Sequence, residues 1–361
     1  MKINSIQVLR AVAVILVTHA HSIDTQMAFS RAFQDDFFYL QNLGAIGVDL
    51  FFVISGFIIC YVASKYQGVT DGFEFLKKRF FRINPVYYVA SILALLVTFL
   101  VMPRAIDQGM MIRAYNSLVI LPIIPAQAAY PVPILSVGWS LSFEWFFYVL
   151  FFCTILMGLK NKVPVLALII ISLVVFGRLY HPNSWVVFYT NPLLLEFMFG
   201  TLVFWMYNHV KLSKGVSLLL IVLGISGYIF NIFHDFGTLS ELNDIYTGVG
   251  MLDRVLLWGV PSLFLFTGCV FMEKAGGFNK IWNNSLLLYL GNGSYSIYLV
   301  HTTVNLILAT QLYARVGFFL NPDLAVFVQM IIGIMGGLLF YQKVEKPVIA
   351  YFHPPMQKQT A

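Results

Sequence analysis

The sequence predicts an all-α, polytopic integral membrane protein of about ten transmembrane helices, and three observations predict it. Of 361 residues, 59% are hydrophobic and only 11% charged, against about 25% charged in a soluble domain. The mean hydropathy is +0.82. The apolar residues are gathered into runs long enough to cross about 30 Å of hydrocarbon, with the basic residues between them.

In chain order the predicted spans are 6–24, 45–64, 86–103, 139–158, 163–179, 192–208, 216–234, 255–272, 286–310 and 324–342. The first could be mistaken for a signal peptide, because Lys2 and Arg10 precede the apolar run from Ala11 to Val17. The sequence Thr18-His19-Ala20-His21 that follows lacks a small-residue cleavage site, so the segment reads as a retained span. Numbering from a cytoplasmic N-terminus, fifteen basic residues fall in inner segments and six in outer ones, with Arg10 inside the first span. This positive-inside bias predicts that both termini are cytoplasmic. The outer connections 25–44, 104–138 and 235–254 are long. In the second of them, Pro122, Pro125, Pro131 and Pro133 exclude a continuous helix. There is no internal repeat, low-complexity tract or appended soluble region, so residues 1–361 read as a single membrane-embedded domain.

The formal charge of +6 follows from topology and does not indicate nucleic acid as a partner; the partner it implies is the lipid bilayer. Cys60, Cys153 and Cys269 lie in apolar stretches at no ligand spacing. They predict neither a disulfide framework nor a metal site.

Ionisable residues at membrane depth are the functional candidates, since a charge at the centre of a span costs about 2.5 to 3.5 kcal/mol. In "LRAVAVILVTHAHSID", residues 9–24, Arg10 falls in the inner half and His21 near the outer end. Eleven residues of helix separate them by roughly 16 Å. Asp49, Glu144 and Glu196 each fall about one turn inside the outer end of their spans, and His301 lies in the outer half of "SYSIYLVHT". The inner face differs. "EFLKKRFFRINP", residues 74–85, carries Lys78, Arg79 and Arg82. The two arginines, three apart, share one helical face, and paired guanidiniums at a membrane surface suit phosphate recognition. Each feature has a plainer reading: a topology signal for the basic cluster, snorkelling for Arg10, a helix cap for a single carboxylate. Together they describe an anion-binding inner face and an acid/base outer half joined by one helix. A histidine beside a carboxylate can take the proton of a hydroxyl while the acid holds its tautomer.

These residues resemble a known family, the bacterial integral-membrane acyltransferase family 3, which includes polysaccharide and lipopolysaccharide O-acetyltransferases. Arg10, ten intervening residues and His21 resemble its first-span signature, and "GVDLFFVISGFII" (47–59) its second-span pattern. "RFFRINP" (79–85) is similar to its Arg-x-x-Arg motif, "WSLSFEWFFY" (139–148) to its Trp-Ser-Leu-Ser-x-Glu motif, and "GNGSYSIYLVH" (291–301) to its late-span pattern. The resemblance implies transfer of an acyl group from acyl-CoA, usually acetyl-CoA, held from the cytoplasmic side of the bacterial inner membrane. The implied acceptor is a hydroxyl of a carbohydrate or glycolipid presented from the other side. It implies a catalytic role for His21, donor-binding roles for Arg10, Arg79 and Arg82, with Lys78 beside them, and a functional role for Glu144. No metal is implied.

On this reading His21 is the general base, and Asp49 or Glu144 orients its imidazole. His19 lies about 200° around the helix from His21, so the two cannot face one site. Direct transfer leads over an acyl-enzyme on His21 or Ser55, because no serine or cysteine is evidently beside a base. The chain ends shortly after the tenth span, which is expected of a stand-alone transferase. A proton-coupled transporter and a structural subunit of a polysaccharide-export complex are the rival classes; repeats and paired broken helices, common in transporters, are not evident.

Overall fold

A computed structural model describes residues 3–29, 43–101, 108–120, 132–180, 184–234, 242–313 and 322–352. They contain helices and no strand. The first half holds α1 (Asn4–Phe29), α2 (Leu43–Ala63), α3 (Gly68–Val101), α4 (Gln108–Val119), α5 (Trp139–Leu156), α6 (Val163–Tyr180) and the short α7 (Ser184–Tyr189). Then follow α8 (Leu194–His209), α9 (Lys214–Phe233), α10 (Leu242–Thr247), α11 (Met251–Arg254), α12 (Val260–Lys274), α13 (Asn279–Trp282), α14 (Ser285–Asn292), α15 (Ser294–Ile307), α16 (Pro322–Phe340) and α17 (Lys346–Phe352). Among the described residues, nine helical segments are long and apolar enough to cross a membrane. The ninth predicted span, 286–310, is present as α14 and α15, broken at Gly293. The proline-rich segment of the second outer connection falls mainly at 121–131, outside the described residues.

Two differences from the sequence expectation bear on the site. Helix α3 begins at Gly68, well before its predicted apolar start, and runs unbroken through Pro85. Its 34 residues give a rod of roughly 51 Å, so the basic cluster and the span after it are one rigid element. Second, π-helical turns at Val255–Gly259 and Tyr341–Glu345 each add a residue to a turn. The first directly follows Arg254 and the second ends in Glu345, both of which form ion pairs. An extra residue in a turn re-aims the side chains next to it, and such turns recur at functional sites.

Helix α1 lies at the centre, packed against α2, α14, α15 and α16. Its first turn is capped from afar: the Glu273 carboxylate accepts from the backbone N–H of Asn4 at 2.9 Å and of Ser5 at 2.7 Å. A carboxylate there satisfies two orphan donors and the positive end of the helix dipole. Small residues set the spacing of the neighbours. A Cβ on Gly47 of α2 would lie 2.4 Å from the Ala13 carbonyl oxygen, and one on Gly44 would lie 2.4 Å from Ala20 Cβ. These contacts make α1 and α2 antiparallel and fix their register. Ser55, two turns beyond Gly47, is therefore level with the Arg10 end of α1, and Asp49 is level with the turn at Ala13.

Candidate active site

The Arg10 end of α1 opens on a cavity of about 150 Å³. Its walls come from five helices, each through one face of its own periodicity. Arg10 projects from α1, Ser55 from α2, Arg79 and Arg82 from α3, Glu144 and Tyr148 from α5, and Ser294 and Tyr298 from α15. Arg79 and Arg82 reach one wall because they sit one turn apart on a continuous helix.

The guanidiniums are differently engaged. Arg82 Nη1 donates to Glu345 Oε1 at 3.1 Å, and Glu345, fully buried, also accepts from Ser296 Oγ at 2.6 Å. Arg10 Nε donates to Ser294 Oγ at 3.1 Å, the first residue after the break in the ninth span. Arg79 lies over the Phe75 ring at 5.7 Å, and its Nε is buried with no hydrogen-bond partner among the described residues. Three cations thus face a space in which Glu144 is the carboxylate on the wall. Lys78, expected beside them, is exposed; it pairs with Glu74 and donates to the Tyr66 hydroxyl at 2.7 Å, away from the cavity.

Glu144 is committed to this cavity and not to His21. Its Oε1 accepts from Ser55 Oγ at 2.7 Å and from the Tyr148 hydroxyl. A serine does stand beside a carboxylate, contrary to the sequence reading, which could not see an approach between residues 89 positions apart. Asp49 is placed elsewhere again. Its Oδ1 accepts from Arg254 Nε at 3.0 Å and Nη2 at 2.7 Å, with both residues buried. Glu196, also fully buried, completes that cluster from α8. Arg254 falls at the end of the predicted outer connection 235–254, and nothing in its sequence neighbourhood indicates a partner on α2.

At the other end of α1 the partner of His21 is Asp24, with Nδ1 and Oδ2 at 3.0 Å. Neither expected orienting carboxylate occupies this place. The signal was present in the sequence as His21-x-x-Asp24, a spacing of three that puts both side chains on one helical face. The His21 side chain is 37% exposed and its ring lies 5.2 Å from that of His301, which is fully buried. His301 Nδ1 donates to the Ile297 carbonyl at 3.0 Å. A carbonyl can only accept, so this bond puts the hydrogen on Nδ1 and leaves Nε2 a bare acceptor. His19 stays outside the pair. One helix therefore carries an arginine-lined end and an imidazole–carboxylate end, roughly 16 Å apart.

The family described as the acyltransferase domain matches residues 3–341 of the chain. The chain is similar to the exopolysaccharide production protein ExoZ of Rhizobium meliloti, 32% identical over 320 residues that cover 85% of this chain and 90% of that protein. It is also similar to the O-acetyltransferase OatA of Staphylococcus aureus, 27% identical over 284 residues, 72% of this chain and 45% of OatA. A shorter likeness, 27% over 169 residues, is to the acyltransferase MdmB of Streptomyces mycarofaciens, covering 45% of this chain and 41% of that one. No solved structure matches.

Proposed function

The chain belongs to the acyltransferase domain family, and from that membership we propose that it moves an acetyl or similar short acyl group from acyl-CoA to a hydroxyl of an envelope or exported polysaccharide or glycolipid. That it is a membrane-type acyltransferase follows from the family and the nine apolar helices. The observation that carries the finer reading is the two-ended α1, with Arg10 in a three-arginine cavity and His21 held by Asp24. The names of two relatives, one for exopolysaccharide production and one for O-acetyl transfer, support the acceptor and the group.

In this mechanism Arg79, Arg82 and Arg10 neutralise the phosphates of acyl-CoA, approached from the cytoplasmic face. The pantetheine arm runs along α1 and brings the thioester to the level of His21. His21 Nε2 takes the acceptor hydroxyl's proton as the oxygen attacks the thioester carbonyl. The CoA thiolate then leaves, and the imidazolium proton neutralises it. Asp24 fixes the tautomer with the free lone pair on Nε2 and stabilises the imidazolium. General-base assistance is worth about 10² to 10⁴ in rate, so alignment of thioester and hydroxyl supplies much of the remainder.

The test is base-labile acyl content of the host's surface polysaccharide with the intact gene, a deletion and His21→Ala. Loss in both altered strains is expected. Normal acylation by His21→Ala rejects the base assignment, and an unchanged envelope in the deletion strain rejects the transferase reading of the substrate.

The Ser55–Glu144 hydrogen bond favours one second route, in which Ser55 accepts the acyl group first. Direct transfer still leads, because Ser55 is level with Arg10 and an acyl-serine would lie far from His21. Radiolabelled acetyl retained on the protein without acceptor, and lost in Ser55→Ala, would reverse that order.

A further inference from the structure

Helices α15 and α16 carry a set of polar side chains that neither the donor cavity nor the His21–Asp24 pair uses. His301 and Asn305 are one turn apart on α15, so they share a face. Gln329 stands on α16 and accepts from Gln26 Nε2 at 2.8 Å through its oxygen. All three are buried, with exposures of 0%, 1% and 0%. Yet His301 Nε2, both amide atoms of Asn305 and Gln329 Nε2 have no hydrogen-bond partner among the described residues. Each such group left unsatisfied costs about 1 to 3 kcal/mol. A chain that is otherwise apolar would lose nothing in packing by placing leucine there.

The two helices meet at this level through a glycine. Gly333 of α16 faces Thr18, Asn305 and His301, and a Cβ there would lie 3.4 to 3.5 Å from them. The ring of His21, whose side chain is 37% exposed, lies against His301.

We propose that His301, Asn305 and Gln329 form the subsite that binds the hydroxyl groups of a sugar acceptor beside His21. The chemistry matches group by group. His301 Nε2 accepts, Gln329 Nε2 donates, and Asn305 does both, whereas each sugar hydroxyl can donate and accept at once. A site built to hydrogen-bond hydroxyls rejects analogues lacking them, because its own groups are then left unpaired. The inference rests on the acyl-transfer reading for its purpose, though binding can be measured without turnover.

The experiment uses full-length protein in detergent micelles and water-soluble oligosaccharides cut from the host's surface polysaccharide and stripped of base-labile acyl groups. With acetyl-CoA as donor, Asn305→Leu and Gln329→Met should raise the acceptor KM about tenfold, the worth of one hydrogen bond at about 1.4 kcal/mol. The KM for acetyl-CoA should not move. Because an apolar isostere removes an unsatisfied group, Asn305→Leu should also leave the unfolding temperature unchanged or raise it. A lowered unfolding temperature with an unchanged acceptor KM would show a packing or water-holding role and overturn the proposal. Saturation-transfer NMR on the same oligosaccharides gives the answer independently of catalysis. Binding by the unmodified protein that Asn305→Leu weakens supports the subsite; equal binding, or none, contradicts it. Absence of transfer by the unmodified protein, with binding intact, counts against the transferase reading alone.

Discussion

At the scale of single residues, the proposed chemistry turns on which carboxylate holds His21. Asp24, at 3.0 Å from His21 Nδ1, orients the imidazole. Asp24→Asn should therefore lower kcat by about 10- to 100-fold, a part of the 10² to 10⁴ that general-base assistance supplies, with the KM for acetyl-CoA unchanged; steady-state kinetics checks both. A parallel loss of donor affinity would move Asp24 into the binding machinery. On the donor side, Arg79→Ala combined with Arg82→Ala should weaken acyl-CoA binding at least tenfold, since one charge-assisted hydrogen bond is worth about 1.5 kcal/mol or more. Lys78→Ala should leave that affinity as it is, because Lys78 is spent on Glu74 and Tyr66. Calorimetric titration with acetyl-CoA separates the two. The sequence made Arg10, His21, Arg79 and Arg82 legible because each is a costly residue at a telling depth or spacing. Depth pointed to Asp49 or Glu144 as the partner of His21 and passed over Asp24, since a carboxylate's depth says nothing about the helix it faces.

At the scale of elements, close helix contacts and one buried ion pair hold the frame. A Cβ on Gly56 of α2 would lie 2.0 Å from the Phe197 carbonyl oxygen, and one on Gly200 of α8 would lie 2.0 Å from that of Val53. Gly56→Ala should force α2 and α8 apart, at a cost of about 1 to 3 kcal/mol, visible as a lower unfolding temperature in detergent. Asp49 is the second test. Removing it strands Arg254 in the interior, which costs about 3 kcal/mol or more. Asp49→Ala should then unfold at markedly lower temperature. If instead it unfolds like the unmodified protein while kcat falls, Asp49 serves the reaction and not the frame. The apolar runs showed where nine of these elements lie, because span length and hydropathy are set by the bilayer itself. They missed the polar first turns of α3, which belong to no apolar run, and the break at Gly293. They also missed α4, α10 and α11, short helices within the connections read as loops.

At the scale of the whole molecule, α1 is an axle with a cation-lined cavity at one end and an imidazole pair at the other. The orientation proposed from the positive-inside bias has the cavity on the cytoplasmic side, where acyl-CoA is made, and the imidazoles on the side of the exported acceptor. Neither substrate then needs to cross the bilayer; only the acyl group does. Sealed proteoliposomes separate the two faces of the protein. Oligosaccharide acceptor is enclosed, radiolabelled acetyl-CoA is added outside, and the population with its donor cavity facing outward is followed. Label is expected on the enclosed oligosaccharide with the unmodified protein, and none with His21→Ala, which still binds acetyl-CoA with unchanged affinity. Label confined to acceptor on the same side as the donor, or enclosed acceptor labelled as fast by His21→Ala, would contradict this mechanism.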